Sequence, residues 1–288
     1  MLLEYLPGSL YENPKVEVIL KGKNSSILFK SLSENLQDKK MYLSSTAVLL
    51  VVEGIQHIKN HDGMQLVVKK NEMVVLPKDL YVVSDFIAKS NCFKAYIFFI
   101  DDLIITDYLS TIKYSFVKNA KNDLLKIPAN SQIGAFTKSL DATYRKLPSN
   151  KSLAEIKVLE FLFLLGLQKE AKKFVSLIVN PTKKRNIHTF MEKNYLSNLN
   201  VSDYALLTGR SLSTFNREFK RLYATTPKEW LISKRLSKSR ELLNNTHLNV
   251  TEVSVEVGYE NVSHFIAAYK KKYGVTPKTT LNLKLTEK

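Results

Sequence analysis

Two patterns of apolar and polar positions divide the chain. From about residue 16 to residue 108 the pattern is that of short strands. VEVILKG, SILFKSL, TAVLLVVEG, MQLVVKK, EMVVLP, LYVVSDF and CFKAYIFFI are rich in Val, Ile, Phe and Tyr, with Lys-Asn, His-Asp-Gly, Lys-Asn-Glu and Pro-Lys-Asp turns between them. Seven strands at close spacing, with no helical pattern between them, predict a sandwich or barrel. These strands are apolar on both faces, which predicts a filled interior. Residues 131–146 and 152–178 then switch to helical periodicity. In the second stretch Leu153, Ile156, Leu159, Leu162, Phe163 and Leu167 form a wide apolar stripe, and Phe161, Leu164 and Leu165 widen it further. A helix apolar on more than one side is covered either by a second copy of the chain or wholly within its own domain. Both readings stay open at this stage.

Past the Pro-and-Lys-rich stretch at residues 180–185, which reads as an inter-domain linker, one helical passage is written twice. The first copy opens with Asn200, Val201, Ser202 and Asp203 and reaches Gly209; the second opens with Asn249, Val250, Thr251 and Glu252 and reaches Gly258, an offset of 49 residues. After the glycines the offset is 50: Phe215, Phe219, Tyr223 and Pro227 return as Phe265, Tyr269, Tyr273 and Pro277. Each Asn, with an acid three residues on, suits a capping box. A short helix follows, carrying Val201, Ala205 and Leu206 in one copy and Val250, Val253 and Val257 in the other. The glycine supplies the positive φ that turns the chain sharply. The second helix is expected to bury Leu212, Phe215, Phe219 and Leu222, and its opposite face carries Ser213, Asn216, Arg217 and Lys220. An apolar inner face with a polar, basic outer face is what reading the major groove requires. Between the copies, residues 227–245 form one expected helix packed through Trp230, Leu231, Leu236, Leu242 and Leu243. It would hold the two reading helices for successive major-groove segments about 34 Å apart.

Charge sharpens the division. The 288 residues carry a net charge of +16, and residues 181–288 hold 19 Lys or Arg against 9 Asp or Glu. The remaining 180 residues hold 24 against 18. A basic surplus this dense favours a polyanion as partner. The single Cys92 excludes an intramolecular disulfide and, in its apolar run, reads as a small buried side chain. No basic start with a long apolar stretch opens the chain, and the longest apolar passage, residues 158–167, is too short to span a bilayer. The expectation is a cytoplasmic protein that does not contact membrane. Two histidines, His57 and His61, do not complete a metal site, so no metal and no cofactor are expected.

The repeated residues, and above all VEVGYENVSHFIAAYKKKYGVTP, resemble the DNA-binding domain of the AraC/XylS family of bacterial transcription regulators. HTFMEKNYL, LSTF and KEWLISKRL are most similar to the subgroup of activators that switch on type III secretion genes. The resemblance is specific over roughly residues 185–280 and looser elsewhere. It implies an α+β chain: a cupin-like β-barrel with a helical dimerisation segment over residues 1–180, and an all-α domain with two helix-turn-helix motifs over residues 181–288. GIQHIKNHDGMQLVVKKNEMVVLPKDLYVVS resembles the family's sensor barrel, with Asn71 where a glycine would often sit. The family's groove-reading positions fall on Ser213, Asn216 and Arg217, which the helical face picks independently, and on Asn261, Ser263 and His264. Ala267 stands where an arginine often contacts DNA, so the second helix is expected to contribute backbone contacts through Lys270 and Lys271. Lys220 and Arg221 are the matching backbone candidates in the first motif. Ser239 replaces a common alanine. The implied partners are double-stranded DNA, RNA polymerase, and a second copy of the chain held through Leu159, Leu162, Phe163 and Leu167. A small-molecule or protein effector would act on the N-terminal domain, and the apolar strands favour a protein or ligand-independent action. A DNA-linked enzyme is disfavoured: repair methyltransferases fused to such domains need a reactive cysteine cluster, and no phosphate loop or catalytic triad pattern occurs.

Overall fold

The computed structural model describes residues 3–88, 91–112, 124–145, 150–179 and 184–286. The chain divides into two compact units, Glu4–Pro181 and Thr182–Lys288. The expected linker at residues 180–185 falls mostly outside the described residues.

The first unit contains eleven strands among the described residues: β1 Glu4–Leu6, β2 Val16–Lys21, β3 Ser26–Leu32, β4 Leu36–Leu43, β5 Thr46–Glu53, β6 Ile55–Asn60, β7 Gln65–Lys69, β8 Glu72–Leu76, β9 Leu80–Phe86, β10 Phe93–Ile100 and β11 Leu125–Pro128. Helices α1 Asp102–Thr111, α2 Ser131–Ser139, α3 Lys151–Gly166 and α4 Ala171–Val179 follow β10, with β11 between α1 and α2. The strands form a five-stranded sheet ordered β1-β4-β9-β6-β7 and a six-stranded sheet ordered β11-β8-β5-β10-β3-β2. Within the six-stranded sheet every pairing is antiparallel.

The apolar character of both strand faces has a different cause from the one expected. Alternate residues of the six-stranded sheet serve two cores. Leu28, Leu49, Val74, Ile97 and Phe99 pack against Met41, Ile58, Tyr81 and Val83 of the other sheet. Ile27, Val48, Met73, Tyr96 and Phe98 face the opposite way, onto Ile104, Tyr108, Phe136, Phe161 and Phe174 of the helices. Phe98 and Phe161 stack with ring centroids 3.8 Å apart. Each such side chain withdrawn from water contributes about 1.5–3 kcal/mol. The helices therefore do for the outer face what the second sheet does for the inner.

Four strands escape the apolar-run criterion, and the sequence shows why. In β6 the residues turned inward are Gln56, Ile58 and Asn60, and those turned outward are Ile55, His57 and Lys59. The period of two is present, but polar side chains occupy inward positions. In β4, Asp38 takes a positive φ of 50° beside a register shift against β9, which breaks the alternation. The strands β1 and β11 are only three and four residues long. His57 lies mid-strand, edge-on to Phe86 at 4.8 Å, and His61 lies in the turn after β6. Asn71 occupies its turn with a φ of 60°, a conformation asparagine tolerates better than most residues, which accounts for its standing in a glycine position. Cys92 is half-buried rather than buried.

The inter-sheet interior is not wholly apolar, a correction to the expected filling. Lys30 and Asp85 form an ion pair at 2.5 Å with side chains 8% and 0% exposed, and Gln56 donates to the second Asp85 oxygen at 2.7 Å. The pair adjoins a cavity of about 40 Å³ whose other walls include Leu6, Met41, Leu49 and Phe99.

The stripe on α3 also needs correcting. Its buried residues are Ala154, Val158, Phe161, Leu162 and Leu165, a face that shares only Leu162 with the predicted stripe and takes in Phe161 and Leu165 from its widening. Leu162 is fully buried in its own unit, so it cannot hold a second copy. Leu159 is half-buried against the same core, whereas Ile156, Phe163 and Leu167 are 60%, 38% and 80% exposed.

The second unit is all helical: α5 Ile187–Asn194, α6 Val201–Leu207, α7 Leu212–Tyr223, α8 Pro227–Asn245, α9 Val250–Glu256, α10 Val262–Tyr273 and α11 Pro277–Thr286. Among the described residues no helix is long and apolar enough to cross a membrane.

Candidate nucleic-acid interface

Local chemistry builds each motif in the same way. Both capping boxes form: the Asn200 side chain accepts from the Asp203 amide while Asp203 accepts in return from the Asn200 amide, and Asn249 and Glu252 do likewise. Thr226 and Glu229 make a third at the start of α8, with Pro227 in the first turn. Hydrogen bonds from Thr226 hold the Glu229 carboxyl below its ordinary range. Gly209 and Gly258 take φ of 71° and 82° and end the first helices. The second helices are then pinned from beneath by an aromatic ladder. In α7, Phe215, Phe219 and Tyr223 follow at centroid distances of 5.6 and 4.5 Å, and Trp230 of α8 closes edge-on to Phe219 at 5.8 Å. In α10, Phe265, Tyr269 and Tyr273 repeat the ladder at 5.8 and 4.7 Å.

Two expected core positions are corrected: Leu212 and Leu222 are 46% and 55% exposed, and α7 buries only Phe215 and Phe219. An aromatic pair one turn apart is wide enough to seat the helix without them. In α6 the buried set is Tyr204, Ala205 and Leu207, with Val201 and Leu206 half-buried. Tyr204 donates to the Asn194 carbonyl at 2.7 Å, and burial pushes its phenol up to about 12. Ser239 is fully buried, and its hydroxyl donates to the Leu236 carbonyl at 2.8 Å, so the change from alanine leaves no orphaned polar group.

The structure brings Ser213, Asn216, Arg217 and Lys220 together on the exposed face of α7, with Arg221 exposed beside them. In α10, Ser263 and His264 are exposed, as are Lys270 and Lys271. Asn261 has another task. It is the N-cap of α10, and its side-chain oxygen accepts from the amides of Ser263 and His264 at 2.8 and 3.1 Å. Its counterpart in the first motif is Ser211, the N-cap of α7. Residues fifty on from Asn216 and Arg217 are Ile266 and Ala267, so the second helix lacks those donors.

Three basic residues that the sequence pattern did not single out are structural. Arg210 is only 8% exposed; it pairs with Glu218 at 2.8 Å and donates to the Thr208 and Arg185 carbonyls. That pairing holds the Glu218 carboxyl below its usual range. Lys272 donates to Ser233 and Ser237 of α8. Arg235 of α8 donates to three backbone carbonyls. The signal available for Arg210 was its eight-residue spacing from Glu218 across the turn.

Comparison with known proteins agrees with this layout. Residues 204–282 match a family described as a helix-turn-helix domain, and residues 46–177 match one described as the ExsA N-terminal regulatory domain. The virulence regulon transcriptional activator VirF of Yersinia enterocolitica is 28% identical over 127 residues, which is 43% of this chain and 47% of that protein. The HTH-type transcriptional regulator ExsA of Pseudomonas aeruginosa is 28% identical over the same length, covering 43% of this chain and 46% of its own. The chain thus spans about half the length of the curated relatives it matches. Fatty-acid-bound ToxT from Vibrio cholerae is 14% identical with a TM-score of 0.43, over 90% of this chain and 95% of that one. The chain thus carries an ExsA-type regulatory domain followed by a helix-turn-helix domain of AraC type, in keeping with its resemblance to the AraC/XylS family of bacterial transcription regulators.

Proposed function

We propose that this protein activates transcription by binding DNA at two successive major-groove segments, the first motif reading bases and the second gripping the backbone. The observation that carries this is the exposed face of α7. Ser213, Asn216 and Arg217 stand over a buried aromatic ladder that fixes their direction. Asparagine suits a bidentate bond to adenine and arginine one to guanine. Lys220, Arg221, Lys270 and Lys271 supply phosphate contacts, and Ser263 and His264 reach what bases the second helix reads. Activation follows the printed role of the VirF relative, a transcriptional activator; contact with RNA polymerase, in the cytoplasm, is this proposal's own extension of it.

The first unit, a cupin-like regulatory domain in this reading, joins two copies through Ile156, Phe163 and Leu167. The interior between its sheets favours a protein over a small molecule as the effector. The 40 Å³ between its sheets is far below the roughly 300–1,000 Å³ of ligand pockets, and Asp85 already neutralises Lys30 there.

A fragment of residues 181–288 is expected to bind promoter DNA without the first unit, with affinity falling by about 0.9 log units per log of salt for each phosphate contacted. Binding that ignores salt, or no binding to any promoter fragment, contradicts the proposal. Phe163→Asp is expected to give a folded monomer by sedimentation, whereas Leu162→Asp unfolds the first unit. An unchanged oligomeric state in Phe163→Asp removes the dimer face.

A further inference from the structure

Arg235 lies in the middle of α8, where the helix passes from the first motif to the second. Towards its start, Trp230 packs on Phe219, Tyr223 and Tyr195 of the first bundle. Towards its end, Leu236 and Leu243 join Val253, Val257, Phe265 and Tyr269 of the second. The guanidinium of Arg235 reaches out of this helix to both bundles at once. Its Nε donates to the Tyr195 carbonyl at 2.8 Å and one terminal nitrogen donates to the Ser197 carbonyl at 2.6 Å, both in the turn after α5. The other terminal nitrogen donates to the Gly258 carbonyl at 3.2 Å, in the turn of the second motif.

The backbones meet tightly around this fork. A Cβ on Gly258 would lie 2.5 Å from the Leu196 carbonyl oxygen and 3.4 Å from the Arg235 guanidinium carbon. One residue further along the same seam, Asn198 donates to Glu260 at 2.7 Å. A lone helix between two bundles is a rod that can bend or twist. A rod with a cross-brace between the bundles is a triangulated frame.

We propose that Arg235 is a positioning residue that sets the register between the two motifs, so that the protein selects DNA by the spacing of its two half-sites. This rests on the DNA-binding reading above. Only a planar guanidinium presents donors in fixed directions to three carbonyls; an ammonium is a point charge on a flexible stem. Losing the fork loosens the two turns from each other, leaving the Asn198–Glu260 bond as the remaining tie, while each motif keeps its own caps, glycine and aromatic ladder. The reading residues on α7 do not touch Arg235, so base preference within one half-site stays.

The test uses full-length protein and a duplex selected by that protein from a random pool, together with versions carrying one or two inserted base pairs between the half-sites. Parent protein is expected to discriminate against the inserted duplexes. Arg235→Lys is expected to weaken binding to the selected duplex by about tenfold, within the usual range of coupling between sites, while binding to the inserted duplexes changes little. Spacing discrimination therefore collapses, and single-base preference under α7 is retained. Glu260→Ala, which removes the second tie across the seam and leaves Arg235 in place, is expected to narrow the discrimination partly. An equal loss on every spacing, or full discrimination retained in both variants, overturns the proposal. Failure of the parent to select any duplex instead removes the DNA-binding reading, and the proposal with it.

Discussion

In the first helix-turn-helix copy, α7 offers Ser213, Asn216, Arg217 and Lys220 to solvent; fifty residues on, α10 has Ser263, Ile266, Ala267 and Lys270. The capping boxes that start the first helices, the turn glycines and the aromatic ladders are held in common, with centroid spacings that agree to 0.2 Å. Repetition persists where a helix must be started, stopped or seated, because those positions answer to backbone and packing constraints that do not depend on the partner. It lapses on the outward face, where only the ligand sets a constraint. Copies alike in scaffold and different in chemistry fit the proposed division of labour, with donors for bases in one and charge for phosphates in both.

The largest expected effect tests the shared scaffold. Gly258→Ala meets both an unfavourable φ and the Leu196 carbonyl at 2.5 Å, whereas Gly274, at a φ of 75°, has open space around it. The first substitution is expected to destabilise by about 3 kcal/mol or more, as buried backbone strain does, and Gly274→Ala by about 1–2 kcal/mol from φ alone. Denaturant titration followed by the single tryptophan, Trp230, reports on this unit. Equal costs would deny that the seam at Gly258 is tight.

Ala267→Arg gives α10 the residue that α7 already has. It is expected to create a base preference in the second half-site worth about 1–3 kcal/mol. A gain spread evenly over all sequences would show the second helix lying too far from the bases to read them.

The copies also differ at their C-caps. Ala224 and Gly274 both take left-handed backbone, with φ of 55° and 75°, and their amides donate to the Lys220 and Lys270 carbonyls at 2.9 and 2.8 Å. Ala224→Gly relieves the strained copy, and a gain of about 1 kcal/mol is expected in the same titration. No gain would place the cap strain elsewhere. The smallest effect belongs to Lys270→Ala, expected to weaken all sequences alike and lower the salt slope by about one. A sequence-dependent loss would make it a reading residue.

Much of this was legible in the chain. A cap, a glycine and an aromatic repeat are local requirements, and local requirements leave fixed spacings. Side chains that join distant segments leave none: nothing in KEWLISKRL marks Arg235 as spanning two turns, and nothing near Asp85 announces Lys30. The α3 stripe misled because that helix is apolar all round, so its period cannot say which face meets the sheet. Asn261 looked like a reader because caps and readers draw on the same polar residues at the same end of a helix.

The central claim is that the first motif reads and the second anchors. It is tested most directly by titrating Asn216→Ala and Arg217→Ala against the selected duplex and each single-base variant of it. Neither residue is buried, so the fold is expected to persist. Each variant is expected to lose about 1–3 kcal/mol on the preferred duplex and to flatten base preference at one or two positions beneath α7. The pattern in the other half-site should be unchanged. An equal loss on every sequence would make α7 an anchor and contradict the account.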